Sequence, residues 1–360
     1  MVCTLVWLRE ICCDRQEKKG ENKLGNNVFG IDLGTSNIKI YSKNEDAIVV
    51  EKNMIAIENK NTLFAYGDSA YEMYEKAPAN IHISYPLCNG VIADIQNMQM
   101  LVKYFIHDIC KGNIRPSDFY IAVPTDVTEV EKRAFYDLIK DAGVRAKKIM
   151  VVEKAVADGL GLDIDVKNSQ GVLVVNVGYD TTEISILSLG GIVLSKLIKV
   201  GGQKFDDAIR NAIRREYSLM VGGKTAEKVK IALGELERNG ENAVVYGRDI
   251  VTGLPVEREI PTSLVDECLK EHFATIIDNI KVILERTPPE LAADIYRHGL
   301  YLTGGASQVV HLSELIAAGT GLKVNTIDSP VSSVALGLAK IIKEDHYKSV
   351  AYAIEGMSRT

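Results

Sequence analysis

Phe29 to Ser42 reads FGIDLGTSNIKIYS. An apolar, strand-like run ends at Leu33, the turn Gly34-Thr35-Ser36-Asn37 follows, and Ile38 to Tyr41 resumes a strand. Far along the chain, Val172 to Ser188 reads VLVVNVGYDTTEISILS and repeats the layout around the turn Gly178-Tyr179-Asp180-Thr181. Two strand–turn–strand units of one design predict an internally duplicated α/β protein. Between them, Tyr120 to Val123 is a short buried-type strand ending at Pro124. A helix follows, with Thr128 and Glu131 at capping-box spacing and Gly143 as its stop. Strand Lys148 to Val152 then runs into a helix from Ala155 to Leu160. Such alternation predicts a sheet with crossover helices. The connection Gly161 to Gly171 marks a boundary between the halves. The second half adds helical stretches from Phe205 to Tyr217 and from Ala226 to Leu236. A strand from Gly299 to Leu302 then enters the turn Thr303-Gly304-Gly305-Ala306-Ser307.

Composition bounds the function. The 360 residues hold 42 Lys+Arg against 48 Asp+Glu, a formal net charge of −6. At about 150 residues per domain, two globular domains are expected. The acidic balance argues against broad nucleic-acid binding, which needs clustered Lys and Arg to neutralise phosphates. No apolar run approaches the roughly 20 residues needed to cross a bilayer. Six cysteines, three of them at Cys3, Cys12 and Cys13, form no CxxC pair. They read as neither a disulfide framework nor a zinc site, and they fit a reducing cytoplasm.

A strand ending in a Gly/Thr/Ser turn offers backbone N–H groups and hydroxyls to one anion. Three such turns stand at Gly34, at Gly178 and at Gly304-Gly305, and the pair Gly201-Gly202 opens the Phe205 helix. Singly, each is as readily explained by hairpin sterics. Together, two duplicated turns could clamp one polyphosphate while the Gly304 turn seats an adenosine.

The segment from Gly30 to Asn37 resembles the first phosphate loop of the actin/DnaK/sugar-kinase superfamily. Three further stretches are similar to one branch of it, the bacterial actin MreB family: GVIAD at 90–94, TEVEKRA at 128–134 and TPPELAADI at 287–295. The resemblance runs from about Val28 to about Lys343. It implies an actin-like fold, with two duplicated ribonuclease-H-like halves, small inserted subdomains, and ATP with Mg²⁺ in the cleft. It also implies membrane-associated filaments, formed with itself or with another MreB, that position the wall-synthesis machinery of rod-shaped cells at the inner face of the membrane. The implied division is a leader over 1–27, domain I over 28–165 plus about 326–344, domain II over 166–325, and a tail over 345–360. Matched by position, Asp32 would face Mg²⁺ through water, and Gly34, Thr35, Ser36 and Asn37 would hold phosphates, as would Gly178, Tyr179, Asp180 and Thr181. Gly201, Gly202 and Asp206 match the ribose side. Glu227 and Lys230, one helical turn apart, match adenosine contacts, as do Gly304, Gly305 and Ala306.

The pattern breaks at the reacting end. Where the family carries Asp-Ile-Gly-Gly-Gly-Thr, this chain has Asn176-Val177-Gly178-Tyr179-Asp180-Thr181. Asn176 removes a charge that a hard divalent ion prefers, and Asp180 would repel a γ-phosphate unless a cation stands between them. Where the family's second Glu orients the attacking water, the chain reads Glu153-Lys154-Ala155. A protonated Lys154 cannot accept a proton, although it could bind phosphate oxygens. Slow or absent hydrolysis is the expectation. The alternatives are a Lys154–Asp180 pair across the cleft, or Glu153 as substitute carboxylate in an active ATPase. A further alternative is a nucleotide-independent pseudo-ATPase subunit that co-polymerises with or caps another MreB. A chaperone or a small-molecule kinase shares the fold class, but neither a substrate domain nor a carboxylate base is identified.

Membrane contact has weak support in the residues. Met1 to Leu8 is apolar apart from Thr4, but on a helical wheel Arg9 falls inside the apolar face. The loop Gly112-Asn113-Ile114-Arg115-Pro116 offers a single isoleucine, whose burial contributes at most about 3 kcal/mol.

Overall fold

The structure, a computed structural model, describes residues 27–60 and 62–354; the reading of the leader lies outside them, Asn27 apart. Strand Asn27–Leu33 pairs antiparallel with Asn37–Ser42 across the Gly34 turn, placing Asp32 opposite Lys39. The same strand pairs parallel with Ser117–Val123, which pairs parallel with Ala146–Glu153. Ala47–Lys52 completes a five-stranded mixed sheet at the other edge. The second half repeats this. Val172–Val177 pairs antiparallel with Thr182–Ser188, placing Asn176 opposite Glu183, and parallel with Leu300–Thr303. Both hairpin turns close on the same backbone bond, Gly34 N–H to Asn37 O at 3.1 Å and Gly178 N–H to Thr181 O at 2.8 Å. The duplication therefore extends to register: in each half the penultimate residue of the first strand faces the residue seven places later.

The helices form where the sequence signals them. Glu129–Asp141 begins with a complete capping box, the Thr128 hydroxyl accepting from Glu131 N–H and the Glu131 carboxylate accepting from Thr128 N–H. Boundaries run longer than expected: Lys154–Gly161, Gly202–Tyr217 and Gly223–Asn239 each gain residues. The Gly304 turn becomes a short 3-10 helix, Gly305–Gln308. Small sheets are inserted in each half, Thr62–Tyr66 with Ile55–Glu58 and Ile81–Ser84 in the first, and Leu219–Met220 with Ala243–Asp249 and Pro255–Ile260 in the second.

Each half has its own apolar core. A third core joins them, where helix Ser333–Lys343 crosses helix Lys154–Gly161 and buries Val334, Leu338, Ile341 and Ile342. Burial of each such side chain is worth about 1.5–3 kcal/mol. The crossing is close because glycines stand at it. A Cβ on Gly337 would lie 1.7 Å from the Ala157 carbonyl oxygen, and one on Gly161 would lie 1.8 Å from that of Ser333. The described part of the tail, residues 345–354, packs back on the first half. It forms a 3-10 turn, Asp345–Val350, and Tyr352 then exchanges backbone bonds with Val151 at 2.7 and 3.0 Å. No helix of the described residues is long and apolar enough to cross a membrane.

Candidate functional site

The two hairpin turns face each other across a cavity of about 430 Å³, within the range of small-molecule sites. Gly34, Thr35, Ser36 and Asn37 line one wall, and Gly178, Tyr179, Asp180 and Thr181 the other. Gly202, Glu227, Lys230, Gly304, Gly305 and Ala306 line the far end. Asp32, Asn176 and Lys154 sit at the floor between the loops.

Asp32 is 2 % exposed at the end of its strand. Its Oδ2 accepts from Lys39 Nζ at 2.9 Å, while its buried Oδ1 has no partner. Lys154 Nζ stands 2.6 Å from Glu183 Oε1, and Glu183 Oε2 accepts from the N–H and hydroxyl of Thr125, both at 3.2 Å. Burial works against the Lys154 charge. The carboxylates of Glu183, Asp32 and Asp158 outweigh it and hold its pKa above the usual lysine range. Lys154 is therefore a fixed cation and cannot serve as a base. The Lys154–Asp180 pair does not form. Asp180 Oδ2 instead accepts from the Asn89 N–H at 2.7 Å, across the cleft. Glu153 points elsewhere, accepting from Lys132 Nζ at 3.1 Å and from the Tyr352 hydroxyl at 2.8 Å. A role as substitute carboxylate would break both bonds.

The acidic group missing at position 176 reappears one layer back. Asn176 Nδ2 donates to Asp158 Oδ2 at 2.6 Å, and Thr303 donates to the other oxygen at 3.4 Å. Burial pushes the Asp158 carboxyl up to about 6. Asp158 is 1 % exposed, so it meets no ligand directly.

At the far end, Lys230 forms a buried ion pair with Asp206 at 2.7 Å and donates to the Gly202 carbonyl at 3.3 Å. Asp206 thus lies behind Lys230 rather than on the cavity wall, and burial pushes its carboxyl up to about 6. Glu227 Oε2 accepts from the Tyr71 hydroxyl at 2.7 Å, and Lys224 Nζ donates to the Tyr71 carbonyl. The Tyr179 ring lies 5.8 Å from that of Tyr85. Gly201 is also behind the wall. A Cβ there would lie 2.6 Å from the Gly178 carbonyl oxygen, so glycine lets the second loop dock on the start of helix Gly202–Tyr217. Gly304 has φ +91°, and a Cβ there would meet the Val177 carbonyl oxygen at 2.4 Å.

Four site residues escaped the sequence reading. Lys39, Lys52 and Glu183 line the cavity, and Asp158 backs it. Lys39 and Glu183 emerge from the shared seven-residue offset only once the hairpin register is known. Asp158 is an acid within an otherwise apolar helical run, which is itself a signal. Lys52, 3.4 Å from the Ser36 hydroxyl, lies on a neighbouring strand and left none.

A divalent cation fits this donor set poorly. Mg²⁺ at phosphates is held through one or two carboxylates. Here Asp32 keeps one free oxygen, Glu183 is bound to Lys154, Asp180 is bound to Asn89, and position 176 is neutral. Among the described residues no group of three or more His, Cys, Asp or Glu could hold a metal ion, so a divalent ion here would rest on Asp32 and the nucleotide's own oxygens.

Comparison with known proteins agrees with the fold. The family model for MreB/Mbl protein matches residues 26–349. Cell shape-determining protein Mbl of Bacillus subtilis (strain 168) is 36 % identical over 313 residues, covering 86 % of this chain and 93 % of that protein. MreB of Escherichia coli (strain K12) is 33 % identical over 326 residues, covering 88 % and 93 %. The crystal structure of MreB5 of Spiroplasma citri bound to ADP superposes with a TM-score of 0.83 at 34 % identity, covering 90 % and 98 %. A second structure of that protein, bound to AMPPNP, gives the same score at 35 % identity, covering 90 % and 97 %. With its duplicated halves and facing loops, the chain belongs to the MreB/Mbl family and has its actin-like fold.

Proposed function

We propose that the chain binds adenine nucleotide between its facing loops, assembles into cytoskeletal filaments that help determine cell shape, and hydrolyses ATP slowly or not at all. Nucleotide binding is supported by the paired loops and by the ADP- and AMPPNP-bound MreB5 structures of the same fold. The observation that carries the loss of hydrolysis is the Lys154–Glu183 pair. Orienting water for attack needs an acceptor oxygen in the cleft. The Lys154 cation fills the position that the family gives to that acceptor, and the nearby carboxylates of Glu153, Asp180 and Glu183 each hold another bond, which leaves Asp32 Oδ1 as a buried carboxylate oxygen without a partner.

In this reading the backbone N–H groups and hydroxyls of both loops hold the phosphates, Lys230 and Glu227 flank the nucleoside, and the Gly304 turn closes the far end. Membership of a family of cell shape-determining proteins supports placing these filaments at the inner face of the membrane, beside wall-synthesis enzymes. Ile250, Val251 and Leu254, exposed by 44, 83 and 62 % around one tight turn, give a small apolar surface of the kind that contacts use. The half-buried Ile114 adds little toward membrane binding by itself.

A second reading draws on the contacts across the cleft. Tyr179 with Tyr85, Asp180 with Asn89, and Glu227 with Tyr71 join the halves directly. Such contacts favour a subunit whose closed form does not depend on nucleotide. Sedimentation and negative-stain imaging with AMPPNP, with ADP and without nucleotide separate the two. Filaments that need AMPPNP are the expected result. Equal assembly without nucleotide selects the second reading, and monomers under every condition overturn assembly.

A further inference from the structure

Building on the nucleotide-binding reading, we infer that the phosphate end of this cleft is neutralised by the ammonium groups of Lys39 and Lys154 rather than by a divalent cation, so that nucleotide binds without Mg²⁺. The charged side chains lining the cavity are Lys39, Lys52, Lys154 and Lys230 against Asp32, Asp180, Glu183 and Glu227. A divalent ion would find Asp32 Oδ1 free, but would have to compete with Lys39 for Asp32 Oδ2 and with Lys154 for Glu183 Oε1. Asp32 and Glu183 already hold a cation each, at 2.9 and 2.6 Å. One member of each pair, Lys39 in the first and Glu183 in the second, stands at a matched place. Glu183 faces Asn176 in the second half as Lys39 faces Asp32 in the first.

The lysines also stand where phosphates would come. Lys39 Nζ is 3.3 Å from the point where a Cβ on Gly34 would sit, at the first turn of the loop. Lys52 Nζ is 3.4 Å from the Ser36 hydroxyl of the same loop. Lys154 is close enough to Asp32 for the two charges to interact. An ammonium carries three N–H donors. Lys39 and Lys154 each give one to a carboxylate, leaving the others for phosphate oxygens. The carboxylates that would repel a polyphosphate are thereby screened by the same groups that attract it.

Calorimetric titration of the full chain with AMPPNP, in excess Mg²⁺ and in EDTA, tests this. The expected Kd in EDTA lies within fivefold of the Mg²⁺ value. Binding in Mg²⁺ that weakens more than fivefold in EDTA overturns the inference and leaves nucleotide binding standing. No binding in either buffer overturns both. This comparison uses the unmodified chain, so no folding defect can obscure it. Lys39→Met, checked for folding by circular dichroism, is expected to weaken binding in EDTA roughly 10- to 100-fold, as for loss of a charge-assisted hydrogen bond. Lys39→Arg should keep most of the affinity. A folded Lys39→Met with unchanged affinity would remove Lys39 from the phosphate site and overturn the assignment.

Discussion

Replacing Lys154 with methionine is expected to lower the unfolding free energy by about 3–5 kcal/mol, the usual cost of leaving one member of a buried ion pair alone. Glu183 is 3 % exposed, and its two bonds from Thr125 satisfy only Oε2. Without the ammonium, Oε1 would be left without a partner in a buried site, whether it kept its charge or took up a proton. The loss should be felt between the halves, because Lys154 and Thr125 belong to the first and Glu183 to the second. Urea unfolding of Lys154→Met, Glu183→Gln and the double variant measures it. The double variant should recover most of the loss, since removing both charges removes the orphan. If Lys154→Met is as stable as the parent, the pair holds nothing together and the fixed-cation account of the floor fails.

Gly337→Ala is expected to cost about 3 kcal/mol or more, at or beyond the upper end for overpacking. Its Cβ would meet a carbonyl oxygen at 1.7 Å, and that oxygen belongs to helix backbone that cannot rotate away. Helices Lys154–Gly161 and Ser333–Lys343 would have to move apart, uncovering Ala157, Leu160, Leu338 and Ile341. Leu336→Ala, on the same helix but with Leu336 38 % exposed, is the control and should cost far less. Thermal melting of both variants checks the contrast. A Gly337→Ala protein that melts with the parent would show that the helices cross farther apart than described. Because Lys154 opens the first of these helices and Asp158 lies within it, the crossing also sets the floor of the cleft.

Much of this arrangement was legible in the sequence. The two strand–turn–strand units, the capping box at Thr128 and the closing glycine turns all rest on local rules, and all formed. The Lys39 role was hidden by its setting. In the alternating run Ile38-Lys39-Ile40, a lysine reads as a solvent-facing residue, and only the partner strand puts Asp32 opposite it. The contacts across the cleft were beyond local reasoning. Asn89 and Asp180 are 91 residues apart, and Tyr71 and Glu227 are 156 apart. No spacing rule joins such pairs. The Asn89 bond explains why Asp180, expected to face phosphate, is turned to a backbone N–H, while Lys154 pairs with Glu183.

The most direct test of a nucleotide-binding filament subunit that has lost its hydrolytic step is phosphate release from ATP. It should be followed on the assembled chain, with binding measured in the same preparation, and repeated for Lys154→Glu. ATP should bind to the parent without release above the buffer rate, and Lys154→Glu, made with Glu183→Gln as well as alone because the new carboxylate would otherwise face Glu183, should gain release in the presence of Mg²⁺. Steady release by the unmodified chain would contradict the account, because a remaining acceptor such as Asp32 Oδ1 would then be orienting water in spite of the Lys154 cation.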